Sequence, residues 1–260
     1  MKRVFIILGL ISVVAGIILI IVYNQPKVGN RYITVTSTYN YVYTETKKID
    51  VMIYANNMDS VLSNVDSYES SYLVNKDETK KLEIELSEII RSNAEYYLDE
   101  TYYGFNLFYE MPRLNGDYNM RECFLKLTLK NNDTHLFYIG SMDLMYHDNV
   151  GMEDVFSVSA LYGSKSETNY LSRLRNITIE AAGPIYQDID NISLGKFVDA
   201  TFKCDGNKIN ISIKESESRL TNAPIVITFS NNMTQVIDNF VYFRDFEVLS
   251  ENGILVNVYS

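Results

Sequence analysis

The chain holds only two histidines and two cysteines in 260 residues, so its stock of nucleophiles and soft metal ligands is small. His135 lies beside an Asn-rich turn, and His147 ends an alternating segment. No H-E-x-x-H helix, G-x-S-x-G elbow or phosphate-cradling G-x-x-x-x-G-K-[ST] loop occurs. A Cys–His nucleophile would require folding alone to bring Cys123 or Cys204 to a histidine. The preferred reading is two solvated or hydrogen-bonded histidines and two separate, partly buried thiols. Two cysteines are too few for a disulfide scaffold, and their spacing fits no zinc knuckle.

The acids offer a second chemistry. Asp148, Glu153 and Asp154 share one loop, Asp188 and Asp190 share another, and Asp117 follows Asn115-Gly116. Loop carboxylates with backbone oxygens are what calcium asks for, but no twelve-residue helix–loop–helix pattern is present. Solvated acids are the expectation. A glycosidase needs two carboxyls about 5–10 Å apart across a cleft, a distance that chain spacing does not define. The chain also has no Trp to stack on a sugar. Tyr39, Tyr41 and Tyr43 would share one strand face, with Tyr97 and Tyr103 more loosely related. Aromatics favour strands, so this stripe is read as core and not as a ligand strip. No catalytic, cofactor-binding or metal-ligating residue is therefore assigned, and no cofactor is expected.

The elements that would position such residues read in period two. Segments 32–37, 48–54, 82–89, 124–129, 177–180, 208–214 and 225–229 alternate apolar with polar residues, as half-buried strands do. Asn-, Asp- and Gly-rich turns punctuate them, and Asp205-Gly206 between two alternating runs is the clearest hairpin. Helical patterning is confined to residues 87–98 and a turn near 56–65. The class is all-β.

Residues 127–136 can be laid over 227–236 with Thr128, Asn131, Asn132 and Thr134 meeting identical residues. After a four-residue insertion, 138–145 lies over 242–249. A repeat of about 100 residues is the size of one antiparallel sandwich, with the boundary near 147–155, although short alternating strands also align by chance.

Residues 4–23 carry no charge and are long enough, at about 1.5 Å per residue, to cross a bilayer. A cleaved signal would have a shorter apolar run followed by small residues, so an uncleaved anchor is expected. Lys2 and Arg3 favour a cytoplasmic N-terminus, with the bulk of the chain outside. The expected layout is a tip at 1–3, a transmembrane helix at 4–23 and a linker at 24–30. Two tandem antiparallel β-sandwich (Ig-like) domains follow at 31–150 and 151–260.

The net charge of -10 argues against nucleic acid as a partner, because phosphate recruitment needs a basic face. A hydrophobic fraction of 47% with 21 Tyr and 12 Phe excludes a disordered tail. Five N-x-[ST] triplets, beginning at Asn132, Asn176, Asn191, Asn210 and Asn232, are about what this Asn, Ser and Thr content yields by chance. The functional expectation is a non-enzymatic binding or accessory subunit of a cell-envelope complex such as a transporter or secretion system. The membrane is reached through its own anchor, and an integral-membrane or envelope protein is the expected partner. The alternative is a surface carbohydrate hydrolase using a carboxylate pair.

Overall fold

The computed structural model describes residues 29–43, 47–147, 155–165, 174–214, 218–220, 224–238 and 248–260. The apolar run at 4–23 lies outside them. Among the described residues no helix is long and apolar enough to cross a membrane. Arg31–Ser260 gathers into one compact unit, with two main hydrophobic cores inside it.

The first core is enclosed by β1 (Tyr32–Val35), β2 (Ser37–Tyr43), β3 (Lys48–Ala55), β4 (Tyr68–Asn75), β5 (Lys81–Tyr97), β6 (Glu100–Glu110), β7 (Tyr118–Leu129) and β8 (Thr134–Tyr146). The second is enclosed by β9 (Val158–Lys165), β10 (Leu174–Ala181), β11 (Ile189–Ser193), β12 (Ala200–Asp205), β13 (Lys208–Ile213), β15 (Ile225–Phe229) and β16 (Thr234–Ile237). The two-residue β14 (Arg219–Leu220) runs parallel to β2. A short helix α1 (Val248–Asn252) and a last strand β17 (Val256–Tyr259) close the chain.

In the N-terminal sandwich the strand order is β14-β2-β8-β7-β4-β5-β6-β3-β1-β17, and this ribbon folds over to make two layers. The fold lies in β5. Lys81 to Ile84 pair with β4, whereas Glu85 to Tyr97 pair with β6. Ile49, Val51 and Ile53 of one layer meet Leu73, Leu125 and Phe137 of the other in a shared core, since alternate residues of each strand point inward. Tyr39, Tyr41 and Tyr43 belong to that core, as their alternation requires.

Residues 87–97 are strand, not helix, and Leu98 opens the turn that follows. The helical pattern arises because β5 carries bulges between Leu86 and Glu88 and between Arg91 and Ala94. Each extra residue shifts the phase of the alternation, so Leu86, Ile89, Ile90 and Ala94 fall at helix-like spacing on an extended chain. The turn near 56–65 is two short 3-10 turns, Val61–Ser63 and Val65–Ser67, capped by Ser60 and Asn64.

The C-terminal sandwich faces β12-β13-β10-β9 against β11-β15-β16. The Asp205-Gly206 hairpin forms, with Gly206 at φ 62°. The two turns matched in sequence have one geometry. Asn132 and Asn232 take φ 69° and 65°, and the Asn131 and Asn231 side chains accept N–H bonds from residues 133 and 233 at 3.0 and 3.1 Å. The match does not continue as strand to residue 249. Residues 239–247 lie outside the described set, and Val248 and Leu249 are helical.

Helix α1 and β17 return to the N-terminal sandwich. β17 pairs antiparallel with β1, covering an edge that would otherwise stay open. Val248, Leu249 and Leu255 pack on the outer side of the first layer against Ile33, Val35, Tyr54 and Tyr102. Glu95 is buried there, accepting from the Tyr54 hydroxyl at 2.9 Å and the Leu249 N–H at 2.7 Å.

Thr36 marks the step at which the leading strand changes layer, from β1 beside β3 to β2 parallel with β8. Side chains bridge the step. Thr34 donates to the Tyr138 carbonyl at 2.7 Å, and the Tyr138 N–H donates to the Tyr259 hydroxyl at 2.8 Å. Gly140, at φ 112°, faces Ser37 so closely that a Cβ would fall 2.0 Å from the Ser37 carbonyl oxygen. Gly140→Ala is expected to lose at least about 2 kcal/mol, from left-handed strain and backbone collision. Tyr259→Phe should lose about 1–2 kcal/mol by stranding a backbone donor. Thermal unfolding of the full chain, followed by tyrosine near-UV circular dichroism, checks both.

Candidate functional site

The most developed polar arrangement is the junction between the two sandwiches. Asn119, Asp143 and Asn40 are register partners on β7, β8 and β2, so they form one row on the outer side of that layer. The row is covered by the β11–β12 connection. The Lys196 N–H donates to Asp143 Oδ2, and the Lys196 ammonium reaches Asn119 Oδ1 at 3.3 Å. Gly195, at φ 112°, lets the backbone come down on Asn40, where a Cβ would stand 2.5 Å from the amide oxygen. Asn40 is wholly buried, and neither amide atom has a partner among the described residues.

Further polar ties surround the row. Thr38 and Ser218 share a hydroxyl–hydroxyl bond, and Ser141 donates to Thr38 at 3.2 Å. The Arg219 N–H donates to the Thr36 carbonyl at 2.9 Å. Lys47 reaches Asp238 at 2.7 Å from the first sandwich to the end of β16. Phe197 forms a common rim for two open grooves of about 620 and 640 Å³. One presents Thr38, Ser141, Ser218, Asp199 and Lys214. The other presents Lys76, Asp77, Lys80, Arg121 and Glu122. Hydroxyls beside both signs of charge suit hydrogen-bonded recognition.

Burial raises the Asp143 carboxyl above the usual aspartate range, opposed by the Lys196 N–H bond and reinforced by Asp117. A raised folded value means that protonation favours the packed state. This contribution is full below the ordinary aspartate pKa near about 4 and is lost as pH rises through the folded value. Asp143→Asn keeps an acceptor for Lys196 and removes the titration. It should flatten the difference in unfolding midpoint between pH 4 and pH 7 relative to the unaltered chain, measured by urea unfolding.

Acids also line a groove of about 590 Å³ at the corner where β5 changes layer. Glu85 stands directly opposite Glu110, with Glu69 and Glu83 nearby. Both members of the pair are exposed, and Lys48 lies 3.3 Å from Glu110. Tyr68, the aromatic in the wall, is buried and spends its hydroxyl on the Leu62 carbonyl.

The remaining sequence candidates are dispersed. His135 packs between Tyr32 and Phe137, and burial lowers its pKa. The His147 N–H donates to the Tyr43 carbonyl. Cys123 is buried, its thiol pushed well up by desolvation, and Cys204 is exposed; both are free. Asp117 accepts the Tyr146 N–H at 2.8 Å. The Asp188 carbonyl accepts from Ser230. Asp148, Glu153 and Asp154 lie outside the described residues. Among the described residues no three His, Cys, Asp or Glu side chains are grouped to hold a metal ion.

Sequence reading missed Asn40, Asp143 and Lys196. In Tyr39-Asn40-Tyr41 and Met142-Asp143-Leu144 the polar residue looks like the wet side of an alternating strand. Nothing local announces that a loop more than fifty residues downstream covers it.

No protein-family model matches the chain, and no curated protein sequence matches it. Among solved structures it is similar to a GspB Siglec domain, at 9% identity over 82% of this chain and 95% of that one, with a TM-score of 0.24. It is also similar to a chicken TCR, at 12% identity over 82% of this chain and 100% of that one, with a TM-score of 0.21. Neither similarity is close enough to carry a functional argument.

Proposed function

We propose that this chain is a single-pass membrane-anchored protein whose extracytoplasmic part is a pair of tandem Ig-like sandwiches, acting as a non-enzymatic accessory or binding subunit of an envelope complex. Strand order supports the Ig-like reading. β9-β10-β13-β12 against β11-β15-β16 matches the seven-strand A-B-E-D and C-F-G arrangement. In the first sandwich, β1-β3-β6-β5 faces β5-β4-β7-β8-β2, with the leading strand split between the layers. The proposed boundary stays near residues 147–155, with 248–260 given back to the first sandwich.

The observation that carries the binding reading is the junction. The buried Asp143 takes the Lys196 N–H across it, Gly195 packs on the buried Asn40, and grooves of hydroxyls and exposed charges flank them. Rigid display of surface is what an accessory subunit needs, and fold alone would not argue it. The carboxylate-pair hydrolase is the weaker reading, because Glu85 and Glu110 stand exposed on an open groove whose one aromatic, Tyr68, is buried.

The anchor reading rests on residues 4–23, uncharged and of spanning length. Affinity purification of the full chain from gently solubilised native membranes tests the proposal. A stoichiometric integral-membrane partner is expected. Repeated recovery of the chain alone would overturn the accessory role.

A further inference from the structure

We propose that the end of the N-terminal sandwich bearing Arg31 docks on the outer face of an integral membrane protein. The inference rests on the anchored-accessory reading above and adds the surface that makes the contact. Three connections meet at this end. The Arg31 N–H donates to Asn56 Oδ1 at 2.9 Å, and its guanidinium reaches Glu100 at 3.0 Å. The β3–β4 connection and the β5–β6 turn therefore stand beside the point where the chain enters. The Lys130 N–H donates to the Ser67 carbonyl at 2.9 Å, which brings the β7–β8 turn to the same end.

Large apolar side chains stand out from these loops. Met58 of the β3–β4 connection is 45% exposed, and Tyr96 and Leu98 at the β5–β6 turn are 69% and 64% exposed. A single exposed leucine needs no explanation, but here three such side chains stand on connections that meet at this end. Leu98 adds a second anomaly. It and Asp99 have φ 50° and 62°, the left-handed pair that a tight hairpin normally gives to Asn-Gly. A leucine there neither suits its backbone nor packs in a core, and residues held against their preference mark contact sites.

Tether length limits what can cover these side chains. Eight peptide steps separate Tyr23, the end of the apolar run, from Arg31. Fully extended they reach about 28 Å, which on the anchored reading bounds how far Arg31 can stand from the bilayer. The occupant is then either the bilayer itself or the outer face of a neighbour embedded in it.

Charge decides between them. Exposed Asp59, Asp99 and Asp133 stand on the same connections. The basic groups of these loops are Lys130 and Arg31, and Glu100 takes the latter. Such a rim is repelled by anionic headgroups and matches a protein surface that pairs apolar contacts with basic residues.

The test uses the full chain in its native membranes. A photoreactive benzoylphenylalanine replaces Leu98 in one variant and, as a remote control, the 87%-exposed Tyr186 in another. Position 98 should cross-link an integral membrane protein that also co-purifies with the unaltered chain, and position 186 should not. The double variant Tyr96→Ser, Leu98→Asp should lower that co-purification about tenfold with the melting temperature unchanged. Aspartate tolerates left-handed backbone better than leucine, so folding is spared.

Asp59→Lys with Asp99→Lys should also weaken the complex. Cross-links to lipid alone, with the lysine variant held more tightly to anionic vesicles, would overturn the proposal in favour of the bilayer. A partner retained by the Tyr96, Leu98 double variant would overturn this surface and leave the accessory reading standing. Absence of any partner from the unaltered chain would overturn both.

Discussion

The step at Thr36 is where the two layers of the N-terminal sandwich are joined by covalent chain and by hydrogen bonds at once. A strand that changes layer leaves backbone groups on both sides without a ladder, and buried backbone groups must be paired somewhere. Here Thr34 and Tyr259 supply the missing partners to Tyr138. Gly140 permits the close approach that lets β2 run parallel to β8 from Ser37 onward. Because Tyr259 comes from the last strand, the end of the chain completes the first sandwich. The second sandwich is thereby held between two segments that both belong to the first.

That topology explains the character of the junction. Crossing chain segments bring the β11–β12 connection down on a strand face built for water, and the polar groups already there have to be reused. Asp143 finds the Lys196 N–H, and Asn119 finds the Lys196 ammonium. A junction of this kind is costly in desolvation and exacting in geometry, so it specifies one arrangement of the sandwiches more than it stabilises it. It also leaves grooves on both sides of Phe197, lined by exposed charge and hydroxyls.

Strand identity was legible because burial on one side imposes period two, and β3, β7, β10, β13 and β15 all show it. Where that condition fails, the pattern misleads. β2 is buried on both faces, one by the core and the other largely by the second sandwich, so its tyrosines were visible and its asparagine was not recognised as interior. β5 holds two bulges, and its shifted phase imitates a helix. The twin Asn-Asn turns were legible for a local reason, since a left-handed asparagine and its neighbour's side-chain bond to the backbone need only a few adjacent residues.

Composition and local pattern were enough for the all-β class, the Asp205-Gly206 hairpin, the acidic charge and the poverty in reactive groups, because each depends on residue type or on neighbours in the chain. The β5–β6 hairpin at Leu98-Asp99, by contrast, was hidden in the segment that imitates a helix. The layer change at Thr36, the return of residues 248–260, the burial of Asn40 and Asp143 and the meeting of Glu85 with Glu110 depend on contacts between residues far apart in sequence. Such contacts leave no local period. They arise from which edges remain to be covered and which surfaces come together once the strands have paired, and tertiary packing alone decides that.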